Sequence, residues 1–171
     1  DVKDADAAVV GIYGKVMTIA DKYVVLNELR GDLMDVTPNA DHYLQQINTE
    51  SVTEDNPYAD PRPMYNIIVN CNDVLANFKV MLKDKRMTQA DYDLRYSAVG
   101  AIRSWLYLQL GIQYGTIPYV TSSVSSVDVL QNSANFPRIS FDLLLDSLRN
   151  FTESLPYKAP FPAGTSLLTT V

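Results

Sequence analysis

A chain of 171 residues with 47% hydrophobic and 20% charged side chains has room for one domain with a real core, and two would be crowded. Its net charge of −6 and scattered Lys and Arg argue against nucleic acid, which demands a clustered cationic field. The lone Cys71 leaves no internal disulfide framework, and no window nears the roughly 18 consecutive apolar residues of a membrane span.

Helical periodicity begins at once. Val9, Ile12, Val16, Ile19 and Tyr23 step by three and four, which places them on one face of an amphipathic helix. Asp4 and Asp6 suit its first turn. Gly11 and Gly14 lie inside it at a cost of roughly 1 kcal/mol each against alanine, and a close helix contact is the expected compensation. The run Tyr23 to Leu26 reads equally as a short strand or as continued helix. Arg30-Gly31-Asp32 follows, a tripeptide that invites an adhesion reading. Leu29, Leu33 and Met34 beside it read as packing residues, so it marks the exit from the first helical unit, with Gly31 supplying permissive backbone. Arg30 and Asp32 are expected to make local charged hydrogen bonds there.

A long polar connection from Gly31 to Arg62 comes next. Pro61 and Pro63 then suit a helix start. Met64, Ile67, Cys71, Val74, Phe78 and Met81 form one stripe, and Ile68, Cys71, Leu75, Phe78 and Leu82 a second. Two overlapping stripes mean packing over a wide arc, with Asn66, Asn70, Asn72 and Asn77 on the remaining surface. The basic turn Lys83 to Arg86 leads to Thr88, an N-cap followed three residues later by Asp91. The third helix should run to about Tyr114, with Tyr92, Tyr96, Val99, Ile102, Leu106 and Leu110 on one face. Ala101, Trp105, Leu108 and Ile112 make a second stripe, Gly115 is the C-cap and Pro118 the stop. After a Ser/Asn-rich connection from Thr121 to Arg138, Ser140 caps a fourth helix with Phe141, Leu144, Leu145, Leu148, Phe151 and Leu155 inward. Pro156 ends it. The second and third helices should form an antiparallel hairpin on which the first and fourth pack, giving an all-α domain over 1–171.

Catalytic chemistry is hard to assemble from these residues. His42 is the single histidine and has no nucleophile in a recognisable pattern. Cys71 sits on an apolar face as a small core residue. Neither the paired acids (Asp32 with Asp35, Glu54 with Asp55, Asp91 with Asp93) nor the absence of Cys/His pairs and phosphate-binding glycine loops suggests an enzyme, a metal or a cofactor. Binding is better served. Two connections exceed the length usual for loops in compact domains, which points to function there. The segment "TEDNPYADPR" from Thr53 to Arg62 gathers Asp, Asn, Tyr and Arg, side chains that stack on a sugar ring and fork onto its hydroxyls. Eleven tyrosines against five phenylalanines lean the same way, although a tyrosine is also at home half-buried.

Three stretches in order, "MYNIIVNCNDVLANF" (64–78), "YDLRYSAVGAIRSWLYLQLGIQYGTIPYVT" (92–121) and "PRISFDLLLDSLRNFTESLP" (137–156), resemble the SusD/RagB family of nutrient-capturing surface lipoproteins of Bacteroidetes. Asn70, Asn72 and Leu75 on one helix carry the likeness, with Arg103, Trp105 and Tyr107 on the next. The close at Tyr114-Gly115 and Pro118, then Arg138 and Leu155-Pro156, complete it. "ELRGDLMDVT" fits the family's connection after its first helix. The resemblance implies tetratricopeptide-like antiparallel helix pairs with long ordered loops, the N-terminal part of a SusD-like fold. It also implies a cell-surface, lipid-anchored protein of the outer membrane. Such a protein binds oligosaccharide, or in some members peptide, for a TonB-dependent transporter and does not cleave it. Family members are usually much longer, and their lipid-bearing cysteine is missing here, so the chain reads as the N-terminal portion of such a protein. Family contacts from the region between the first two long helices, here Asp32 to Arg62, make Asp35, Asn56, Tyr58 and Arg62 the candidate ligand-binding residues. A helical scaffold that docks another protein is the alternative.

Overall fold

The computed structural model describes residues 1–124 and 133–158. Six α-helices and a two-stranded sheet follow in order: α1 (Val2–Met17), α2 (Ala20–Arg30), α3 (His42–Asn48), α4 (Arg62–Lys83), α5 (Gln89–Tyr114), β1 (Ile117–Pro118), a 3-10 turn (Ser133–Asn135), β2 (Arg138–Ile139) and α6 (Phe141–Glu153). The protein is all-α in character.

Helix starts obey local chemistry. Asp1 caps α1 by accepting from the Lys3 and Asp4 amides at 2.7 and 3.1 Å, and Thr88 caps α5 by accepting from the Asp91 amide at 3.1 Å. Ser140 occupies the N-cap of α6 without a side-chain capping bond. The first amphipathic stripe is kept, with Ile12 and Ile19 buried and Val9, Val16 and Tyr23 packed beside them. It is nevertheless carried by two helices, because the chain turns at Thr18. The run Tyr23 to Leu26 is helical.

Cross-helix contacts fix the directions. Lys79 faces Tyr96, Asn72 bonds Arg103 and Tyr65 meets Tyr107, so α4 and α5 run antiparallel. On α5, Gly100 lies against Phe151 and Leu155 while Gly111 lies against Phe141 and Leu144, so α6 also runs antiparallel to α5. Asp6 pairs with Arg95 at 2.8 Å, Tyr23 stands edge-on to Trp105, and Asn27 meets Gln113. Thus α1 and α2 run alongside α5 in its own direction. The main core lies among α1, α4, α5 and α6, and a small second cluster of Leu26, Leu29 and Ile47 sits between α2 and α3.

Four expectations are corrected. A Cβ built on Gly11 or Gly14 meets nothing within 4 Å, so no close helix contact compensates those glycines among the described residues. The close approach is at α5 instead, where a Cβ on Gly111 would stand 2.6 Å from Leu144 and 2.7 Å from the Phe141 ring. The second buried side of α5 is accordingly Gly100, Ser104, Tyr107 and Gly111, whereas Ala101 and Ile112 are exposed. Third, Asn72 is 3% exposed, not a surface residue. Its amide donates to the Val120 carbonyl at 2.9 Å and its oxygen accepts from Arg103 at 2.8 Å. Fourth, the long first connection contains α3, capped by Asp41, whose side chain accepts from the Tyr43 and Leu44 amides.

Candidate functional site

The exit from α2 is a Schellman turn. The Leu33 amide reaches back to the Glu28 carbonyl at 2.9 Å, and Asp32 holds the left-handed position with φ +57°. Gly31 itself has φ −90°, so the residue that needed permissive backbone is Asp32. A second such turn closes α3: Ser51 bonds the Gln46 carbonyl at 2.8 Å and Glu50 takes φ +55°. A non-glycine residue in that conformation is uncommon and costs roughly 1–2 kcal/mol. Lys85 repeats the arrangement after α4, with φ +57°. Asp32 and Glu50 share a further property.

Both line one cleft of about 590 Å³. Its apolar side is made by Leu26, Leu29, Ile47 and Val52, and its polar side by Arg30, Asp32, Asn48, Glu50 and Gln113. The buried α2–α3 cluster gives it a firm base. Arg30 donates to the Gln113 side-chain oxygen, and the Gln113 amide donates to Asn27, which ties α2 to the end of α5. Tyr114, also in the wall, donates its hydroxyl to the Ala59 carbonyl at 2.6 Å. Burial raises that hydroxyl's pKa, so it stays a neutral donor at ordinary pH. The cleft therefore offers carboxylates, amides and one guanidinium above an apolar patch. This is the chemistry that grips a polyhydroxyl ring, and the volume falls in the usual range of roughly 300–1,000 Å³ for small-ligand sites.

None of the four sequence-nominated residues lines that cleft. Asn56 is 1% exposed, and its amide donates to the Tyr43 carbonyl and Gln46 side chain, each at 3.0 Å. Its oxygen accepts from the Tyr58 amide at 3.0 Å. Asn56 therefore holds the loop together and has no group left for a ligand. Tyr58 packs against the Leu26, Leu29 and Ile47 cluster and directs its hydroxyl to Asp41 at 3.4 Å. Arg62 is exposed and forks onto Asp60, with Nε 2.8 Å from Oδ1 and Nη2 2.9 Å from Oδ2. Asp35 is exposed and accepts from the Val36 amide at 2.7 Å. The loop chemistry read from composition is thus largely turned inward, onto the loop itself.

The tripeptide Arg30-Gly31-Asp32 does lie at the exit from the first helical unit, but it is held there differently from what was expected. Leu33 and Met34 are 76% and 45% exposed and do not anchor it. Arg30 bonds Gln113, far along the chain, and Asp32 makes no side-chain hydrogen bond among the described residues. Asn48 and Glu50 carried no sequence signal, and Gln113 none beyond its place near the end of α5. His42 lies against Tyr43 with ring centroids 3.8 Å apart. Cys71 is fully buried, and burial pushes its thiol up to about 12, which suits a core residue. Among the described residues, no three His, Cys, Asp or Glu side chains gather as metal ligands, and no helix is long and apolar enough to cross a membrane.

Comparison with known proteins returns no matching family model, no matching curated protein and no matching solved structure.

Proposed function

We propose that this chain captures an oligosaccharide in the cleft between α2, α3 and the end of α5, by binding alone. The reading takes the chain as the N-terminal portion of a SusD-like, lipid-anchored nutrient-binding protein of the outer-membrane surface, built on tetratricopeptide-like helix pairs. Such a protein hands its ligand to a TonB-dependent transporter. The observation that carries the proposal is the cleft's mixed chemistry: Asp32, Glu50 and Arg30 line it together with Leu26, Leu29 and Ile47. Two residues held in left-handed backbone on its rim add to it, since conformations of this kind gather at functional sites. The order of sequence motifs supplies the transporter-linked context.

Isothermal titration of the full chain against a panel of neutral oligosaccharides tests the proposal. Binding should appear at millimolar affinity or better and fall by about tenfold in Asp32→Ala, consistent with loss of a charge-assisted hydrogen bond. Arg62→Ala, outside the cleft, should leave it unchanged. Titrations that show no heat with any glycan would sink the capture reading. A peptide ligand, known among the family's members, would give heat only in a parallel peptide panel.

Protein docking is favoured by one separate feature. Val10, Tyr13 and Met17 are 68%, 50% and 72% exposed along one side of α1, where Gly11 and Gly14 also lie open. A Tyr13→Glu variant that loses a partner but keeps glycan binding would assign that face to docking.

A further inference from the structure

A second cavity, of about 620 Å³, opens between α4, α5 and α6 and shares no lining residue with the cleft. Arg103 lies in its wall and is 5% exposed. Its Nη1 donates to the Asn72 oxygen at 2.8 Å and to the Thr121 carbonyl at 3.2 Å, and its guanidinium carbon stands 4.5 Å from the Phe151 ring centroid. All three partners are neutral. A guanidinium is always charged, and a buried charge ordinarily finds an opposite one. Here Nε and Nη2 make no hydrogen bond to a described residue.

The rest of the wall repeats the pattern. Lys79 adds a second cation, with its ammonium 5.6 Å from the Tyr96 ring centroid. Ser122 adds a hydroxyl, while the Ser123 and Ser154 hydroxyls already donate to Asp73 and to the Phe151 carbonyl. Among the described residues no aspartate or glutamate lines the cavity, although acids outnumber bases 20 to 14 in the chain. The nearest acid in the bonding network, Asp73, is engaged by the Ser123 hydroxyl on the rim. Among the described residues the arrangement is a basic chamber in an acidic protein, with donor N–H groups of a preorganised guanidinium left unused.

We infer that this cavity binds a carboxylate borne by a small polar molecule, with Arg103 forking onto the carboxylate and Lys79 closing from the mouth. Guanidinium geometry matches a carboxylate in a bidentate fork, and exclusion from bulk water strengthens the pairing. Arg103 also latches the chain after β1 through Thr121, so occupation of the cavity would tighten that segment.

Two carboxylate sources are separable by titration at fixed ionic strength: glucuronate against glucose, and N-acetylglycine against N-acetylglycinamide. At least one acid should bind while its neutral counterpart does not, and should raise the melting temperature of the full chain above that in matched chloride. Arg103→Gln should weaken that acid by tenfold or more, on the order expected for a lost charge-assisted bond. Lys79→Gln, at an exposed side chain that meets only the Tyr96 ring among the described contacts, should weaken it about threefold. If Arg103→Gln fails to fold, the Lys79→Gln comparison decides alone. Equal heats for acid and neutral partners, or unaltered acid binding in the folded variants, would overturn the assignment. Cleft binding of neutral glycan by an Asp32-dependent route is a separate result, so either site can fail without the other.

Discussion

Replacing Gly11 and Gly111 with alanine should move stability in opposite directions, although both glycines lie inside helices. In an exposed helix interior, alanine is favoured over glycine by about 1 kcal/mol. Gly11 is exposed in α1, and an added Cβ meets nothing within 4 Å. Gly11→Ala should therefore stabilise the chain by about 1 kcal/mol, a rise of about 2–4 °C in Tm for a domain of this size. At Gly111 the same Cβ would lie 2.6 Å from Leu144 and 2.7 Å from Phe141. Leu144 is fully buried and has little room to retreat. Overpacking of this sort costs about 1–3 kcal/mol, which outweighs the propensity gain. A net loss of up to about 2 kcal/mol, or a fall of up to about 8 °C, is expected. Urea unfolding followed by circular dichroism at fixed pH measures both. A stabilised Gly111→Ala would mean that α5 and α6 do not approach this closely. A destabilised Gly11→Ala would mean that the outer face of α1 is already covered.

Other outcomes follow from the same geometry. Lys85→Gly should stabilise by about 0.5–1 kcal/mol in the same assay, because glycine relieves the left-handed backbone at the end of α4 at some entropic cost in the unfolded chain. No change would remove the strain argument for Asp32 and Glu50 as well. Asn56→Ala should cost about 2–3 kcal/mol by leaving the Tyr58 amide without its partner and by taking one donor each from the Tyr43 carbonyl and the half-buried Gln46 oxygen, which keeps Thr53; a loss under half that would return Asn56 to the surface. Burial raises the Tyr65 and Tyr92 hydroxyls from 10.0 to about 12 and the Cys71 thiol from 9.0 to about 12. Folded chains keep these protons while unfolded chains release them near the ordinary values. Stability should therefore be fully present below pH 9 and fall as pH rises from there toward 12. Urea midpoints that stay level across that window would contradict it.

The long helices were legible in the sequence because apolar residues recur there at helical spacing, and burial of one stripe is what makes such a segment helical. Leu106, Leu110, Phe78 and Leu75 lie where that spacing puts them. Caps were equally readable at Thr88 and Gly115, since one side chain or one left-handed glycine meets a purely local need. The α5–α6 contact escaped the same reading. It is made by Gly100, Ser104 and Gly111 on the α5 side, where close approach depends on the absence of a side chain and leaves no hydrophobic signal.

The candidate site divides in the same way. Composition placed recognition chemistry between the first two long helices, and the cleft does draw on that region through Asp32, Asn48 and Glu50. Which polar groups face outward was settled only by the fold. Asn56 satisfies buried backbone that its own loop creates, so the residue with the most sugar-like chemistry became the loop's internal brace. Arg30 and Gln113 meet across 83 positions of sequence, a pairing that no local pattern encodes. By itself the sequence determined the long helices α4, α5 and α6 and their main apolar faces, because those answer to neighbours three or four residues away. The tertiary structure decided the cleft and the cavity around Arg103, because a polar side chain's role depends on which distant groups packing brings to it.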